Sequence, residues 1–389
     1  MQQIQKLIRK ILRLVYRPAR RVLSFFRWSI PGIFNLLKPR CLNASRVLVI
    51  YDTASQPFSV GDFLLFLEAS LVLCHKHNVN IVDIALVYDS KNPASSSPVF
   101  AGIVTDDTLM FHLASILPLA QVNQFLGSVF VFNCQEQLQQ HIIDNIDRYY
   151  VWPTGWQVSI REYLSPQVFN DLLYKHFKEH GEIPHLACRP FLKDWAFSFY
   201  QQHANGYVPV TINIRNNKGW QQHRNSQLDA WLAFFKYCEA RYPAKFIILC
   251  AHSEIDNRWF DCSNVIIAKD YQTGVEQDMA LIHTSAIHMG TGSGPTATAL
   301  FSSKPYLIVN MVLEVGGFYY YSDMFEQLGQ NIQRFWFASP MQHVANGVET
   351  SELLISEFAL MWEAIDLQKW QNKTHGDDVL NTKINSWLR

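Results

Sequence analysis

The sequence predicts an α/β protein of two successive parallel-sheet domains behind a basic N-terminal arm. Three observations predict it. Short β-branched runs alternate with helical stretches twice along the 389 residues, a length that suits two domains of roughly 150 residues each. Apolar residues make up 49% and aromatic residues 14%, so a large core is available and extensive disorder is excluded. Charge is uneven: the first 40 residues hold ten Lys or Arg and no acid, and the remainder has 23 bases against 33 acids.

The arm comes first. Wound as a helix at about 100° per residue, Ile4, Leu7, Ile8, Ile11, Leu12, Leu14 and Val15 share one face, and Lys6, Arg9, Lys10, Arg13 and Arg17 fill the other. This amphipathic pattern suits a helix lying in the plane of an anionic membrane surface, with Phe25, Phe26 and Trp28 extending the apolar footing. Basic residues interrupt every long apolar run, so neither a transmembrane span nor a cleaved leader is expected. The regular apolar face argues for lipid, and against nucleic acid, as the partner of residues 1–40.

Arg46 to Tyr51 (RVLVIY) reads as a buried strand. The loop YDTASQPFSVGD leads into a helix from Phe63 to about His77, and Ile81 to Tyr88 gives the next strand, a βαβ unit with a parallel sheet. Val129 to Asn133 is a further strand, and 142–161 has room for another. From Cys188 to Gly206 the pattern turns aromatic and irregular, and a domain boundary is placed near residue 205. A second alternation follows: strand Val208 to Ile214, helix Gln227 to Arg241, strands Phe246 to Cys250 and Val265 to Ala268, helix Val275 to Thr284, strand Ala286 to Met289, a glycine loop with its helix, and strand Tyr306 to Val309. Ser351 to Leu367 is helical. The expected organisation is an arm (1–40), an N-terminal domain (41–205), a C-terminal domain (206–350) and a helical segment packing across them (351–389). Seven scattered cysteines without a CxxC point to reduced thiols rather than a disulfide framework or zinc site.

The most informative stretch is Ser285 to Pro305, SAIHMGTGSGPTATALFSSKP. Gly290, Gly292 and Gly294 are expected to supply positive φ and close backbone approach. Pro295 opens a helix over Thr296 to Phe301, whose N–H groups and dipole favour an anion, with phosphate the natural guest. An ordinary strand-to-helix turn is the alternative. No GxxxxGK[ST] occurs, the first βα turn carries only Gly61, and Ser293 in TGSGP lacks the GxSxG spacing of a hydrolase elbow.

Two runs resemble bacterial heptosyltransferase-type enzymes: SVGDFLLFLEASLVLCHKHNVNIVDIALV, with its Gly-Asp turn before an apolar helix, and HTSAIHMGTGSGPTATALFSSKP, with Gly-Pro opening a helix that closes at a small residue and Pro. TINIRNNKGWQQHRN, a strand ending in a basic residue, is similar to the bacterial fucosyltransferase-like group. The resemblance implies two Rossmann-like parallel-sheet domains facing a cleft, the B-type glycosyltransferase (GT-B) architecture. It also implies an acceptor domain over 41–205 and a nucleotide-sugar domain over 206–350. Gly292 stands where the family usually has an acid, and Leu67, Glu68 and Ala69 replace a proline-containing helix end, so a heptose donor is not carried over.

Displacing a nucleoside diphosphate from an anomeric carbon requires a base for the acceptor hydroxyl and neutralisation of the leaving phosphates. Asp62 beyond the first strand matches the aspartate that the resemblance implies as base; capping the helix from Phe63 is its alternative role. Arg215, Lys218 and Arg224 after the first strand of the second half, with Gly292, Ser293, Gly294 and Thr296, are the candidates for holding the diphosphate. His252, Glu276 and Asp278 are candidates for ribose or base contacts, although acids at 276 and 278 also suit a helix start. No DxD occurs, and His75, His77, His283 and His288 lack metal-ligand spacing, so no metal is expected. The expected function is a metal-independent glycosyltransferase without a cofactor. Nucleotide-sugar is its substrate and a surface glycan or lipid-linked acceptor its partner, at the cytoplasmic face of a bacterial membrane. A catalytically silent sugar-nucleotide or glycan-binding protein and a membrane scaffold are the alternatives.

Overall fold

A computed structural model describes residues 44–53, 56, 59–88, 108–156, 166–219, 222–310, 334–345 and 348–365. The expected arm over 1–40 lies outside the described residues, as does the chain beyond 365. The chain divides into two compact units. Among the described residues, the first holds those before Ser59 with those of 69–117 and 125–173; the second holds those of 59–68, 118–124 and from Tyr174 onward.

In the first unit, β1 (Arg46–Asp52), α1 (Val60–His77), β2 (Val82–Val87), α2 (Leu109–Ile116), β3 (Leu126–Phe132), α3 (Gln135–Asp144) and β4 (Tyr149–Trp152) follow one another. The strands form a wholly parallel sheet in the order β3-β2-β1-β4. Val47 to Tyr51 are fully buried, as an uninterrupted apolar run in a parallel strand requires. The charged exception, Asp83 in β2, is also fully buried. It accepts from Arg46 Nη1 at 3.0 Å and from the Ser128 N–H at 2.8 Å. Gly127 makes room for it, since a Cβ there would lie 2.4 Å from Asp83 Oδ1. α1 is apolar nearly all round and is buried from Phe63 to Cys74.

α4 (Pro166–His180) leads to the second unit. The stretch expected to be irregular, Cys188 to Gly206, instead contains the helix α5 (Pro190–His203), with Pro190 at its first turn and Leu192, Ala196, Phe199 and Tyr200 buried. Then come β5 (Val208–Asn213), α6 (Leu228–Glu239), β6 (Ala244–Leu249), β7 (Val265–Ile267), α7 (Val275–Thr284), β8 (Ile287–Thr291), α8 (Thr296–Leu300), β9 (Tyr306–Val309), β10 (Gln342–Val344) and α9 (Ser351–Ala364). The sheet is again parallel, in the order β10-β9-β8-β5-β6-β7. Its core is aromatic, with Trp231, Phe234, Phe235, Phe246 and Phe358 fully buried. Leu354, Phe358 and Met361 of α9 pack into this core beside α6. Glu349, just before α9, accepts from Trp231 Nε1 and the Gln227 N–H, both at 2.6 Å. That fixes the start of α6 and the end of the loop preceding it.

Candidate active site at a sheet switch point

The second sheet grows from β5 in both directions, to β6 and β7 on one side and to β8, β9 and β10 on the other. Loops leaving β5 and β8 at their carboxyl ends therefore diverge, and such switch points are where open α/β sheets bind ligands. Arg215, Lys218 and Arg224 lie on the loop after β5. Gly292, Ser293 and Gly294 follow β8.

Hydrogen bonds hold these loops together. The Arg215 N–H donates to Ser226 Oγ at 3.1 Å and the Ser226 N–H to the Arg215 carbonyl at 2.8 Å, closing the 215–226 loop at its base. Within it, the Asn217 N–H donates to Asn225 Oδ1 at 3.0 Å and Asn225 Nδ2 to the Asn217 carbonyl at 2.8 Å. Arg224 Nη2 donates to the Gly292 carbonyl at 2.6 Å, which sets a guanidinium against the glycine loop. Ser293 Oγ donates to Asn213 Oδ1, and Asn213 Nδ2 donates to the Leu249 carbonyl at 2.7 Å, so the ends of β5, β6 and β8 are tied through one amide. Asn216 Nδ2 adds a 3.2 Å bond to the Glu254 carbonyl in the turn that carries His252.

Arg215 is half-buried. Burial lowers its pKa from the usual guanidinium value and Glu254 works against that shift, so the group stays cationic while partly stripped of water. A desolvated cation attracts a phosphate more strongly than one in bulk water. Lys218 is exposed.

The glycines act differently from expectation. Gly290 lies inside β8, and none of Gly290, Gly292 and Gly294 has a positive φ; among the described glycines that conformation belongs to Gly155, Gly181 and Gly206. The role of Gly290 and Gly294 is close approach. A Cβ on Gly290 would come 2.9 Å from the Asn213 carbonyl oxygen, and one on Gly294 would come 2.9 Å from Val60 Cβ and 3.1 Å from the Gly61 nitrogen. The helix after the loop is also shorter than expected, five residues ending at Leu300, so its dipole is small. The Ala297 and Thr298 N–H groups close its own first turn, and the Thr296 hydroxyl donates to the Thr291 carbonyl at 2.8 Å. Thr296 itself is buried.

Asp62 belongs with these residues in the second unit. α1 begins at Val60 rather than Phe63, so Gly61 and Asp62 sit in its first turn, and the cap is Ser59, whose Oγ faces the Asp62 N–H at 3.5 Å. A Cβ on Gly61 would lie 3.4 Å from Gly294 Cα, so the helix start and the glycine loop meet backbone to backbone. Burial pushes the Asp62 carboxyl up to about 6, with the Ser59 hydroxyl pulling it partly back. A carboxylate in that range is suited to accept a proton near neutral pH.

Of the remaining candidates, His252 is exposed on the loop after β6. The Glu276 carboxylate folds back over Gly274 at the start of α7. Asp278 is buried in internal contacts, accepting from Lys269 Nζ and Thr273 Oγ1, each at 2.6 Å. Burial lowers His283 and His288 to about 3, so both are neutral, and His288 Nδ1 pairs with Thr211 Oγ1 at 3.1 Å. Asn213, Ser226 and Thr291 were missed from the sequence. Thr291 is fully buried, and its Oγ1 has no hydrogen-bond partner among the described residues.

No protein-family model matches the sequence, and no curated protein matches it. Solved structures do. A glycosyl transferase of family 9 from Veillonella parvula DSM 2008 aligns at TM-score 0.51 and 10% identity, over 83% of this chain and 98% of that one. ADP-heptose lps heptosyltransferase II from E. coli aligns at TM-score 0.51 and 10% identity, over 81% of this chain and 98% of its own. At such identity the likeness is one of fold, and it agrees with two parallel-sheet units of the GT-B kind.

Proposed function

We propose that this protein is a glycosyltransferase that moves a sugar from a nucleotide-sugar donor to a surface-glycan or lipid-linked acceptor, as in lipopolysaccharide, O-antigen or capsule assembly. The observation that carries the proposal is the convergence, at the switch point of the second sheet, of Arg215, Arg224 and the glycine loop beside the helix turn that bears Asp62. That the two solved structures named above are glycosyltransferases by name supports it.

In this reading the acceptor oxygen bonds to the anomeric carbon as the bond from that carbon to the terminal phosphate oxygen breaks. Asp62 takes the hydroxyl proton. The departing diphosphate keeps the electron pair, and Arg215, Lys218, Arg224 and the amides of Ser293, Gly294 and Thr296 neutralise its charge. His252 and Glu276 are assigned to the nucleoside in this reading, whereas Asp278 serves the turn before α7. The sequence has no DxD to hold a metal, so these cations stand in for one, and transfer continues in the presence of a chelator. Residues 1–40 hold the enzyme on an anionic cytoplasmic membrane face; no helix among the described residues is long and apolar enough to cross a membrane.

The test is a thermal-shift panel of UDP, GDP, ADP and CMP followed by donor turnover. A ligand at about 100 times its Kd stabilises the fold by about 2.7 kcal/mol. One nucleotide should shift the melting temperature selectively, and its sugar conjugate should be turned over. A panel that leaves the melting temperature unmoved rejects the proposal. Deleting residues 1–40 should abolish vesicle binding and preserve turnover on a soluble acceptor.

A further inference from the structure

The second unit carries an open pocket of about 290 Å³ between α5 and the turn after β7. Its walls are Trp195, Phe199, Gln202 and His203 on one side and Asp270, Tyr271 and Gln272 on the other. β7 is the edge strand of the sheet, and β6 and β5 lie between it and β8.

The ring arrangement follows from sequence spacing. Trp195, Phe199 and His203 recur every four residues and so share one face of α5. Ring centroids are 5.6 Å apart for Trp195 and Phe199 and 4.7 Å for Phe199 and His203. Tyr271 closes the row, 4.1 Å from His203 and edge-on to Phe199 at 5.4 Å. Phe199 is buried and forms the floor, whereas Tyr271 is 46% exposed. Gln202, Asp270 and Gln272 are exposed around the rings.

The turn that presents Asp270, Tyr271 and Gln272 is anchored from beneath. Lys269 Nζ donates to the Thr273 carbonyl and to Asp278 Oδ2, both at 2.6 Å, and Thr273 Oγ1 donates to Asp278 Oδ1. Gln272 is held at φ 58, a left-handed conformation that a non-glycine residue keeps only where its surroundings impose it. The pocket is therefore formed in advance of any ligand.

We infer that this pocket binds a saccharide. A pyranose offers an apolar C–H face to an aromatic ring and a rim of hydroxyls that need both donors and acceptors. Trp195 and Tyr271 supply the rings, the Gln202 and Gln272 amides supply both hydrogen-bonding functions, and the Asp270 carboxylate accepts. A quaternary ammonium would use the rings and Asp270 but leave both amides idle, and Phe199 lies too deep to complete a cage around it. Binding stands on these side chains alone. Its use, holding a glycan chain away from the reacting end, rests on the glycosyl-transfer reading.

The experiment is saturation-transfer NMR on the full chain with methyl glucopyranoside, methyl mannopyranoside, methyl galactopyranoside, N-acetylglucosamine and choline, each at about 10 mM. At least one saccharide should bind with a Kd of about 1 to 10 mM, weakened about tenfold or more in Trp195→Ala and Tyr271→Ala and retained in Tyr271→Phe. Tyr271→Ala should leave any nucleoside diphosphate thermal shift unchanged, which separates this site from the donor site. Binding of choline alone, no saccharide binding, or saccharide binding undiminished in Tyr271→Ala overturns the inference. Tyr271 is exposed, so that variant decides the matter even if Trp195→Ala does not fold. Saccharide binding without any nucleotide response would leave this site standing while removing the proposed donor site.

Discussion

The Ser293 hydroxyl donates to the side-chain oxygen of Asn213, joining the loop after β8 to the end of β5 across 80 residues of sequence. The other half of the Asn213 amide is engaged with the Leu249 carbonyl, so its orientation is fixed. Asn213→Ala removes both bonds inside a buried site and should cost about 1–3 kcal/mol in denaturant unfolding, and Ser293→Ala about 1 kcal/mol or less. Both should weaken nucleoside diphosphate binding about tenfold, since the loop loses its anchor. Wild-type affinity in both variants would show that the anchor does not shape the donor site.

Contact between Gly294 and the start of α1 makes a second prediction. In Gly294→Ala the new methyl would overlap Val60 Cβ and the Gly61 nitrogen, so the helix turn bearing Asp62 must move away from the loop. Overpacking of this kind costs about 1–3 kcal/mol. Gly61→Ala meets Gly294 at 3.4 Å, ordinary contact, and should be milder. Equal destabilisation by the two, read from denaturant midpoints, would contradict this steric account.

The contrast between these glycines marks what the sequence makes legible. Tyr306–Val309 and Val275–Thr284 form the strand and helix that local patterning predicts, because each apolar run is bounded by turn residues on both sides. α5 was hidden because Trp195, Phe197 and Phe199 place aromatic rings on several faces and blur the helical period, although Pro190 was a readable start signal. α1 starts early because Ser59, three residues before Asp62, makes a better cap than Gly61 makes a breaker. That Gly294 needs space rather than a positive φ depends on Val60, more than 230 residues away, and no local pattern carries it. The pairing of Asn213 with Ser293 and the grouping of Ser59–Glu68 with the chain beyond Tyr174 are likewise properties of the fold, which a linear division at residue 205 has no means to express.

Asp62 gives two opposite pH effects. As a base it must be ionised, so the transfer rate should fall as pH drops through about 6 and level off above it. Asp62→Asn should lower the plateau by about 10² to 10⁴. Stability runs the other way. The folded pKa lies above the ordinary aspartate value of 3.8, so the protonated carboxyl favours the folded state below pH 3.8 and that advantage is lost as pH rises through about 6. Asp62→Asn should therefore raise the melting temperature at pH 8 and change it little at pH 3.5. A variant with full activity removes Asp62 as the base, whatever its stability.

Arg215 and Arg224 should differ in how they fail. Arg224 bonds the Gly292 carbonyl, so Arg224→Ala loosens the loop as well as removing a charge, whereas half-buried Arg215 is held at its backbone by Ser226 and contributes chiefly its guanidinium. Each alanine variant should raise the Kd for the preferred nucleoside diphosphate about tenfold or more, equivalent to about 1.4 kcal/mol. Arg215→Lys should recover little, because an ammonium lacks the planar fork that engages two phosphate oxygens. Exposed Lys218 makes a point-charge contribution that salt screens, so Lys218→Ala should cost about two- to threefold at low ionic strength and nothing measurable near 0.5 M salt. If Lys218→Ala instead proves the most damaging of the three, the diphosphate lies outward on the loop after β5, and the cradle formed by Arg224 and the glycine loop is not its site.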